Sequence, residues 1–119
     1  MPKKIFSPQI INAAGNKPKL IEEYFGRVNT HTESVSIAKM KSPQGWVEPG
    51  QTPEFDEYTV VLSGSLTIKT KDKLFTIKAG EAVLAFKGEW IQYSSPDEDA
   101  EYIAVCLPAF SPSIVHRDD

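Results

Sequence analysis

The stretch Gly45 to Gly64, GWVEPGQTPEFDEYTVVLSG, indicates a short strand bounded by glycine turns. From Glu57 onwards polar and apolar side chains alternate, so that Glu57, Thr59 and Val61 share one face of the strand. Gly64 ends the strand, and a glycine there permits the positive φ of a tight turn. A carboxyl group on an apolar face has to be paired, solvated or protonated. Glu57 is therefore the first candidate for a functional residue.

Short strands and turns continue on both sides of this stretch. Nine prolines and seven glycines divide the 119-residue chain, and the segments between them are rich in Val, Ile, Thr, Tyr and Phe, which favour strands. A spacing of about 8–12 residues between such strands is typical of an antiparallel sandwich or barrel. The predicted strands cover residues 34–41, 57–62, 65–70, 74–78, 81–86, 89–93 and 101–107.

The two ends of the chain carry a weaker signal. Residues 19–28, KLIEEYFGRV, fit either a short helix or a strand, and we predict a strand because Tyr24, Phe25 and Gly26 favour one. A loosely structured arm is expected before it, and a tail on the surface or across a subunit contact is expected at the end of the chain. The predicted organisation is an N-terminal arm and first strand over 1–33, a barrel over 34–110 and a C-terminal tail over 111–119.

Composition excludes several classes of protein. The net charge is -3, and the scattered lysines and only two arginines do not form the basic stripe that nucleic acids require. No apolar run approaches the roughly 20 residues of a bilayer span. The lone Cys106 cannot form an intramolecular disulfide, so we expect a cytoplasmic protein without nucleic-acid or membrane partners. The acidic run over 97–101 is expected to form a solvated turn.

Metal-binding side chains are scarce. With two histidines and one cysteine, a zinc or iron site built from three or four such residues would have to use every one of them. His31 lies in the polar stretch NTHTE and is expected to be exposed. Cys106 alternates with Tyr102 and Ala104 on an apolar strand, which indicates a small core residue. His116, near the C-terminus, stays open as a candidate ligand.

Around the opening stretch, the sequence resembles the cupins, which are small jelly-roll barrels. Their first motif runs glycine, five residues, His-x-His, three or four residues, glutamate, six residues, glycine; this chain keeps Gly45, Glu57 and Gly64 in that register. Their second motif runs glycine, five residues, proline, any residue, glycine, two residues, histidine, and this chain keeps Gly80 and Gly88. The three histidine positions of the two motifs hold Gln51, Pro53 and Ile91.

The resemblance implies an all-β fold, an antiparallel double-stranded β-helix, assembled as a homodimer. It also implies that Glu57 and the three replaced positions point into the barrel, where typical cupins hold a divalent metal. Of these, only Glu57 keeps an anionic oxygen, and Gln51 offers a neutral one, which is a poor donor set for zinc or iron. We therefore expect no cofactor. A divalent metal on a non-standard set of Glu57, Gln51, Glu54 and His116 is the alternative.

Among cupins, the chain is similar to an uncharacterised group of single-domain bacterial proteins. The shared residues are Gly45–Trp46, Glu48–Gln51 and Pro53–Tyr58. The loss of the histidines is similar to the ethanolamine-utilisation Q protein. His116 and the segment before it are similar to the end of ectoine synthase, which also keeps the glutamate at the Glu57 position. None of these resemblances supplies a reaction.

Three functions are open at this point. In the first, the barrel binds a small polar metabolite and Glu57 acts as a general acid or base, as isomerisation, dehydration or cyclisation would require. Aromatic and polar side chains commonly form the walls of such pockets. The predicted ligand-binding residues are Gln51, Glu54, Trp46, Trp90 and Tyr93. The second function is a metalloenzyme with the non-standard site. The third is a non-catalytic sensor or interaction module whose barrel is packed shut.

Overall fold

Two antiparallel β-sheets face each other in the computed structural model, which describes all 119 residues. The strands are β1 (Gln9–Ile11), β2 (Leu20–Phe25), β3 (Ser36–Ser42), β4 (Trp46–Val47), β5 (Asp56–Ser63), β6 (Ser65–Thr70), β7 (Leu74–Lys78), β8 (Ala82–Ala85), β9 (Ile91–Ser95) and β10 (Ala100–Leu107). The six-stranded sheet has the order β1-β2-β3-β10-β5-β8, and the four-stranded sheet has the order β4-β9-β6-β7. A single helical turn, α1 (Pro112–Val115), follows. The all-β fold class is confirmed.

The seven strands predicted from alternation are all present, with ends that differ by at most two residues. The segment for which a helix or a strand was open is a strand, β2, as predicted. The expectation of a loosely structured arm is wrong in part, because β1 pairs with β2 inside that arm. β1 and β4 have three and two residues, which is too short for a period of two to be visible in the sequence. No helix of the structure has the length and apolar character needed to cross a bilayer.

The acidic run, expected to be solvated, and the tail, expected on the surface or across a subunit contact, both contribute to the packing. Within the acidic run, Ala100 is buried and opens β10, while the Glu98 carboxylate accepts a hydrogen bond from the Ser65 hydroxyl at 3.0 Å. The C-terminal tail folds onto its own barrel, where Val115 packs with Phe55 and Cys106. Burial of one apolar side chain of this size contributes about 1.5–3 kcal/mol, and backbone hydrogen bonds between the tail and residues 50–54 help to hold the tail in place.

The core lies between the sheets and is built from alternate residues of the strands. Glu57, Thr59 and Val61 of β5 are buried on the inner face, whereas Tyr58 and Val60 are exposed on the outer face. The main cluster of buried side chains comprises Trp46, Val61, Leu66, Ile68, Ile77, Ile91, Tyr93, Ala100 and Tyr102. The two-residue period of β5 therefore places a carboxyl group inside the barrel.

Candidate functional site

A cavity inside the barrel separates the inner face of the six-stranded sheet from β4, β9 and the C-terminal tail. It leaves about 60 Å³ for the centres of water-sized molecules. Since one water needs roughly 10–15 Å³ on this measure, the cavity has room for about four to six waters or a ligand of similar size. The polar and charged side chains on its walls are Lys19, Glu23, Ser36, Glu48, Gln51, Glu57, Thr59, Tyr93, Tyr102 and Arg117.

Glu57 lies on the cavity wall and is 9% exposed. β5 pairs it with Cys106 of β10 on one side and Ala85 of β8 on the other, so its backbone is fixed in the middle of the sheet. Its Oε2 receives a weak hydrogen bond from the Cys106 thiol at 3.6 Å, and its Oε1 has no partner. Burial raises the pKa of the Glu57 carboxyl, and the Tyr93 hydroxyl and the Lys19 charge offset only part of this effect. The cavity therefore favours the protonated acid.

Tyr93 of β9 brings a hydroxyl to the same cavity from the opposite sheet. The side chain is 4% exposed, and its Oη lacks a hydrogen-bond partner although it is close enough to Glu57 for each group to affect the other's pKa. Burial and then the Glu57 charge raise the pKa of Tyr93 well above its ordinary value. The group is therefore a neutral phenol that donates or accepts a hydrogen bond.

Gln51 joins two distant parts of the chain at the cavity wall. Its backbone exchanges two hydrogen bonds with Ile91, each 2.9 Å long, and it also forms a β-bridge with Arg117 of the tail. This second pairing brings the Arg117 guanidinium beside the Phe110 ring, 5.8 Å from its centroid, and into the wall of the cavity. The Nε of Arg117 is buried without a partner. The tail thus supplies a cationic donor to the site.

Two further charged residues, Glu48 and Lys19, complete the site. Glu48 follows β4 and is buried; burial raises the pKa of its carboxyl to about 7, with the Glu57 charge adding to the rise while Lys19 and Arg117 oppose it. Burial lowers the pKa of Lys19, but the charges of Tyr102, Glu48 and Glu57, together with a hydrogen bond to the Tyr102 hydroxyl, outweigh burial and leave the pKa above its ordinary value. The site accordingly contains a charged ammonium group and two carboxyl groups that hold their protons more tightly than usual.

Four residues predicted from the sequence come together in this cavity: Gln51, Glu57, Trp46 and Tyr93. Glu54 and Trp90 do not reach it. Glu54 instead forms a short hydrogen bond with His116 at the surface. Trp90 lies against Gly50 and donates its indole N–H to Asp118 at 2.8 Å, beside a separate surface cleft. Both side chains are drawn outward by the tail, whose backbone pairs with residues 50–54.

Sequence reasoning missed Lys19, Glu48 and Arg117. Glu48 lies in the quoted stretch that carries the cupin resemblance, and its place two residues after a buried tryptophan, on the same face of an extended segment, was a usable signal. No local sequence pattern predicts that the side chains of Lys19 and Arg117 point into the barrel. Their positions depend on the pairing of β2 with β3 and of the tail with Gln51.

The residues at the usual cupin metal positions do not fit a metal ion. Pro53 and Ile91 have no donor atom in their side chains, and Gln51 and Glu57 supply one amide and one carboxyl group. No group of three or more His, Cys, Asp and Glu side chains is close enough to hold an ion. The alternative metal site of Glu57, Gln51, Glu54 and His116 does not form, because Glu54 and His116 pair with each other outside the cavity. A cationic ammonium group, that of Lys19, stands in the cavity instead.

A double-sheet antiparallel barrel with its site between the sheets defines a cupin. The chain belongs to the family of the ethanolamine utilisation protein EutQ, whose family model matches residues 20–112. The EutQ protein of Clostridium difficile is 24% identical with a TM-score of 0.65, over 76% of this chain and 63% of that one. The polyketide cyclase RemF of Streptomyces resistomycificus is 16% identical with a TM-score of 0.78, over 100% of this chain and 87% of that one. At these identities the structural likeness shows the fold alone.

One curated protein shares more of the sequence. The endoribonuclease YbeY of Myxococcus xanthus strain DK1622 is 44% identical to this chain over 101 residues. The match covers 84% of this chain and 34% of that protein. The chain thus spans about a third of the length of the curated relative that it matches, and the likeness concerns one segment of a longer protein.

Proposed function

We propose that the barrel binds a small polar metabolite and that Glu57 exchanges a proton with it. One observation carries the proposal: Glu57 Oε1, Tyr93 Oη and Arg117 Nε are buried without hydrogen-bond partners, and all three residues line the same cavity. A buried polar atom left without a partner costs about 1–3 kcal/mol. Three such atoms around one space point to water or a polar ligand that supplies the missing hydrogen bonds.

The chemistry proposed for this site is proton transfer. A carboxyl group whose pKa is raised by burial holds its proton more tightly than usual, and it can give that proton to a ligand and take one back. The Tyr93 hydroxyl beside it can hold the ligand oxygen in place, and Gln51 contributes an amide at the same wall. Isomerisation, dehydration and cyclisation need only such transfers, so these are the reaction types that the site suits.

Replacement of Glu57 with Gln tests this function, since the amide keeps the shape of the side chain but cannot exchange a proton. We expect small hydroxy and oxo metabolites to raise the melting temperature of the wild-type protein. In D₂O, at least one of them should exchange a C–H hydrogen for deuterium, as followed by proton NMR. Glu57→Gln should slow that exchange by about 100-fold or more, which is the usual size of general acid–base catalysis.

Glu54→Gln is the matched control, because Glu54 lies only three residues before Glu57 in the sequence but outside the cavity. This variant should exchange deuterium at the wild-type rate. An unchanged rate in Glu57→Gln would contradict the role of Glu57. A broad metabolite panel without any stabilising compound would contradict binding in the barrel itself.

We also propose a cytoplasmic setting, which Cys106 supports. Its thiol is buried and unpaired, and it is the only cysteine of the chain. Burial, followed by the Glu57 charge, raises the pKa of this thiol far above its ordinary value. A thiol that stays protonated is a poor nucleophile. Cys106 therefore packs as a small core side chain, and its free thiol suits a reducing compartment.

We further propose that two copies of the chain pair through the outer face of the six-stranded sheet. A row of apolar side chains crosses this face from strand to strand: Phe25, Ile37, Val105, Tyr58 and Leu84. Contiguous exposed apolar surface of this kind marks interaction sites. Beside the row, Lys39 and Glu101 form a salt bridge of 3.0 Å with each other. Because their charges neutralise one another, they would not cause repulsion between two copies of the sheet.

Val60→Lys tests the homodimer, because Val60 is 45% exposed on the same face beside Tyr58. We expect the wild-type protein to elute as a dimer in size-exclusion chromatography with light scattering, and the variant to elute as a monomer, since a buried unpaired lysine is strongly unfavourable. Leu74→Lys is the control on β7 of the other sheet, where Leu74 is 71% exposed, and it should leave the dimer intact. A monomeric wild-type protein would overturn this assembly.

A further inference from the structure

Lys19 places its ammonium group inside the barrel, although it belongs to the segment directly before β2. Its Nζ lies over two aromatic rings of the cavity wall, 4.1 Å from the centroid of Trp46 and 5.1 Å from that of Tyr102. The Trp46 ring is itself fixed, because its Nε1 donates to the Ala14 carbonyl at 3.0 Å. Aromatic faces attract a cation, so this arrangement holds the charge at one place.

The ammonium group forms no salt bridge in the protein. The two salt bridges of the structure join other residues, and the Tyr102 hydroxyl is the side-chain group that the ammonium group meets as a hydrogen-bond partner. Contacts with aromatic faces occupy none of the three N–H donors of a lysine. A buried charge without a counter-charge is costly, and the donors that Tyr102 leaves unfilled point to a missing partner of opposite charge.

The carboxyl groups around the cavity do not fill this role. Glu23 accepts hydrogen bonds from the backbone amides of Val28 and Asn29, at 3.0 and 2.8 Å. Glu48 and Glu57 form no salt bridge with Lys19, and burial favours their neutral forms. In addition, the Arg117 Nε is a buried donor without a partner. Lys19 and Arg117 thus bring two positive charges to the space, and neither forms a salt bridge.

We propose that Lys19 binds a carboxylate of the ligand, so that the ammonium group supplies the positive charge that a metal ion supplies in typical cupins. This inference rests on the proposed binding function and names its ligand class: small carboxylates of about four to six non-hydrogen atoms, the size that fits about 60 Å³. Lys19 and Arg117 receive the carboxylate, and Glu57 and Tyr93 face the rest of the molecule. One end of the ligand is thereby held while a proton moves at the other.

Matched pairs of compounds separate charge from shape. Lactate, glycolate and propionate are compared with lactamide, glycolamide and propionamide, which have the same number of non-hydrogen atoms but no charge. Binding is measured from backbone amide shifts of the wild-type protein and from its melting temperature. We expect at least one carboxylate to bind ten-fold or more tightly than its amide, a difference that corresponds to about 1.4 kcal/mol.

Lys19→Met removes the charge and keeps the length of the side chain, so it should bring the affinity for the carboxylate down to that of the amide. Lys17→Met is the matched control: Lys17 lies on the same segment, but its Nζ donates to the Gln44 carbonyl at the surface. It should bind like the wild-type protein. Lys19→Gln is a second variant in case the methionine variant does not fold, with the same expected loss.

Other results would contradict either the role of Lys19 or the carboxylate proposal as a whole. If amides and carboxylates bind equally, or if Lys19→Met and Lys19→Gln keep the preference for the carboxylate, Lys19 does not bind the ligand's charge, while the proposed binding function stands. If no member of either series shifts the resonances of cavity residues, the carboxylate proposal fails. In that case the broader metabolite panel decides the binding function separately.

Discussion

Raising the pH from 4.5 to 7 is expected to lower the free energy of unfolding by roughly 3 kcal/mol through Glu48 alone. Burial raises the pKa of this carboxyl from 4.5 to about 7 in the folded protein. Between these values the folded state keeps the proton while the unfolded state has lost it, so the unfolded state binds fewer protons and stability falls as the pH rises. Glu57 acts in the same direction, since burial also raises its pKa.

Urea unfolding of the wild-type protein and of Glu48→Gln at several pH values between 4.5 and 8 isolates this contribution. The amide imitates the protonated acid, so the variant should lose most of the pH dependence that Glu48 causes and should be the more stable protein at pH 8. Glu89→Gln, a change of the same type on an exposed side chain, should follow the wild-type curve. Parallel curves for the wild type and Glu48→Gln would mean that Glu48 ionises as readily in the folded as in the unfolded chain.

Gly64→Ala is expected to cost at least about 4 kcal/mol, enough to unfold most of a domain of ordinary stability. Gly64 joins β5 to β6 with a φ of +74°. A Cβ at this position would lie 1.8 Å from the Asp99 carbonyl oxygen and 2.9 Å from its carbon. These are backbone atoms at the start of β10, the central strand between β3 and β5, and they cannot move without breaking the sheet pairing.

Gly80→Ala is the matched control, because Gly80 has a similar φ of +86° but nothing within 4 Å of the position of a new Cβ. It should cost only the penalty of a left-handed backbone, about 1–2 kcal/mol. Thermal and urea unfolding, followed by circular dichroism, measure both variants. Similar losses in the two would show that backbone conformation alone, and not the contact with Asp99, makes glycine necessary at position 64.

The seven main strands could be predicted from the sequence because alternation and turn residues are local properties. The same alternation placed Glu57 inside the barrel, and the cupin spacing placed Gln51 near it. Predictions for short or terminal elements were less successful. β1 and β4 carry no visible period, and the helical turn α1 in the tail, which was expected on the surface or across a subunit contact, packs on its own barrel. The start of α1, Ser111 followed by Pro112, was a usable signal for a helical turn.

Among the predicted ligand-binding residues, too, some positions follow from the local sequence and others depend on the tertiary structure. Trp46 and Tyr93 reach the cavity because strands β4 and β9 present them inward. Glu54 and Trp90 are held outside by His116 and Asp118 of the tail. No local pattern near Glu54 or Trp90 predicts that these side chains point outward. Their orientation depends on the folding back of the tail, which lies about 60 residues after Glu54 and about 30 residues after Trp90.

By itself, the sequence determined a barrel of short antiparallel strands, an inward Glu57, and the replacement of the metal-binding histidines, because each of these follows from residue order over a few neighbouring positions. Only the tertiary structure decided the charges of the site. It brought Lys19, Glu48 and Arg117 to one cavity from three separate segments. It also removed water from the carboxyl groups there, which raises their pKa values. Desolvation and the approach of distant charges arise only when the chain is packed, and they turn an inward glutamate into a candidate acid facing a buried cation.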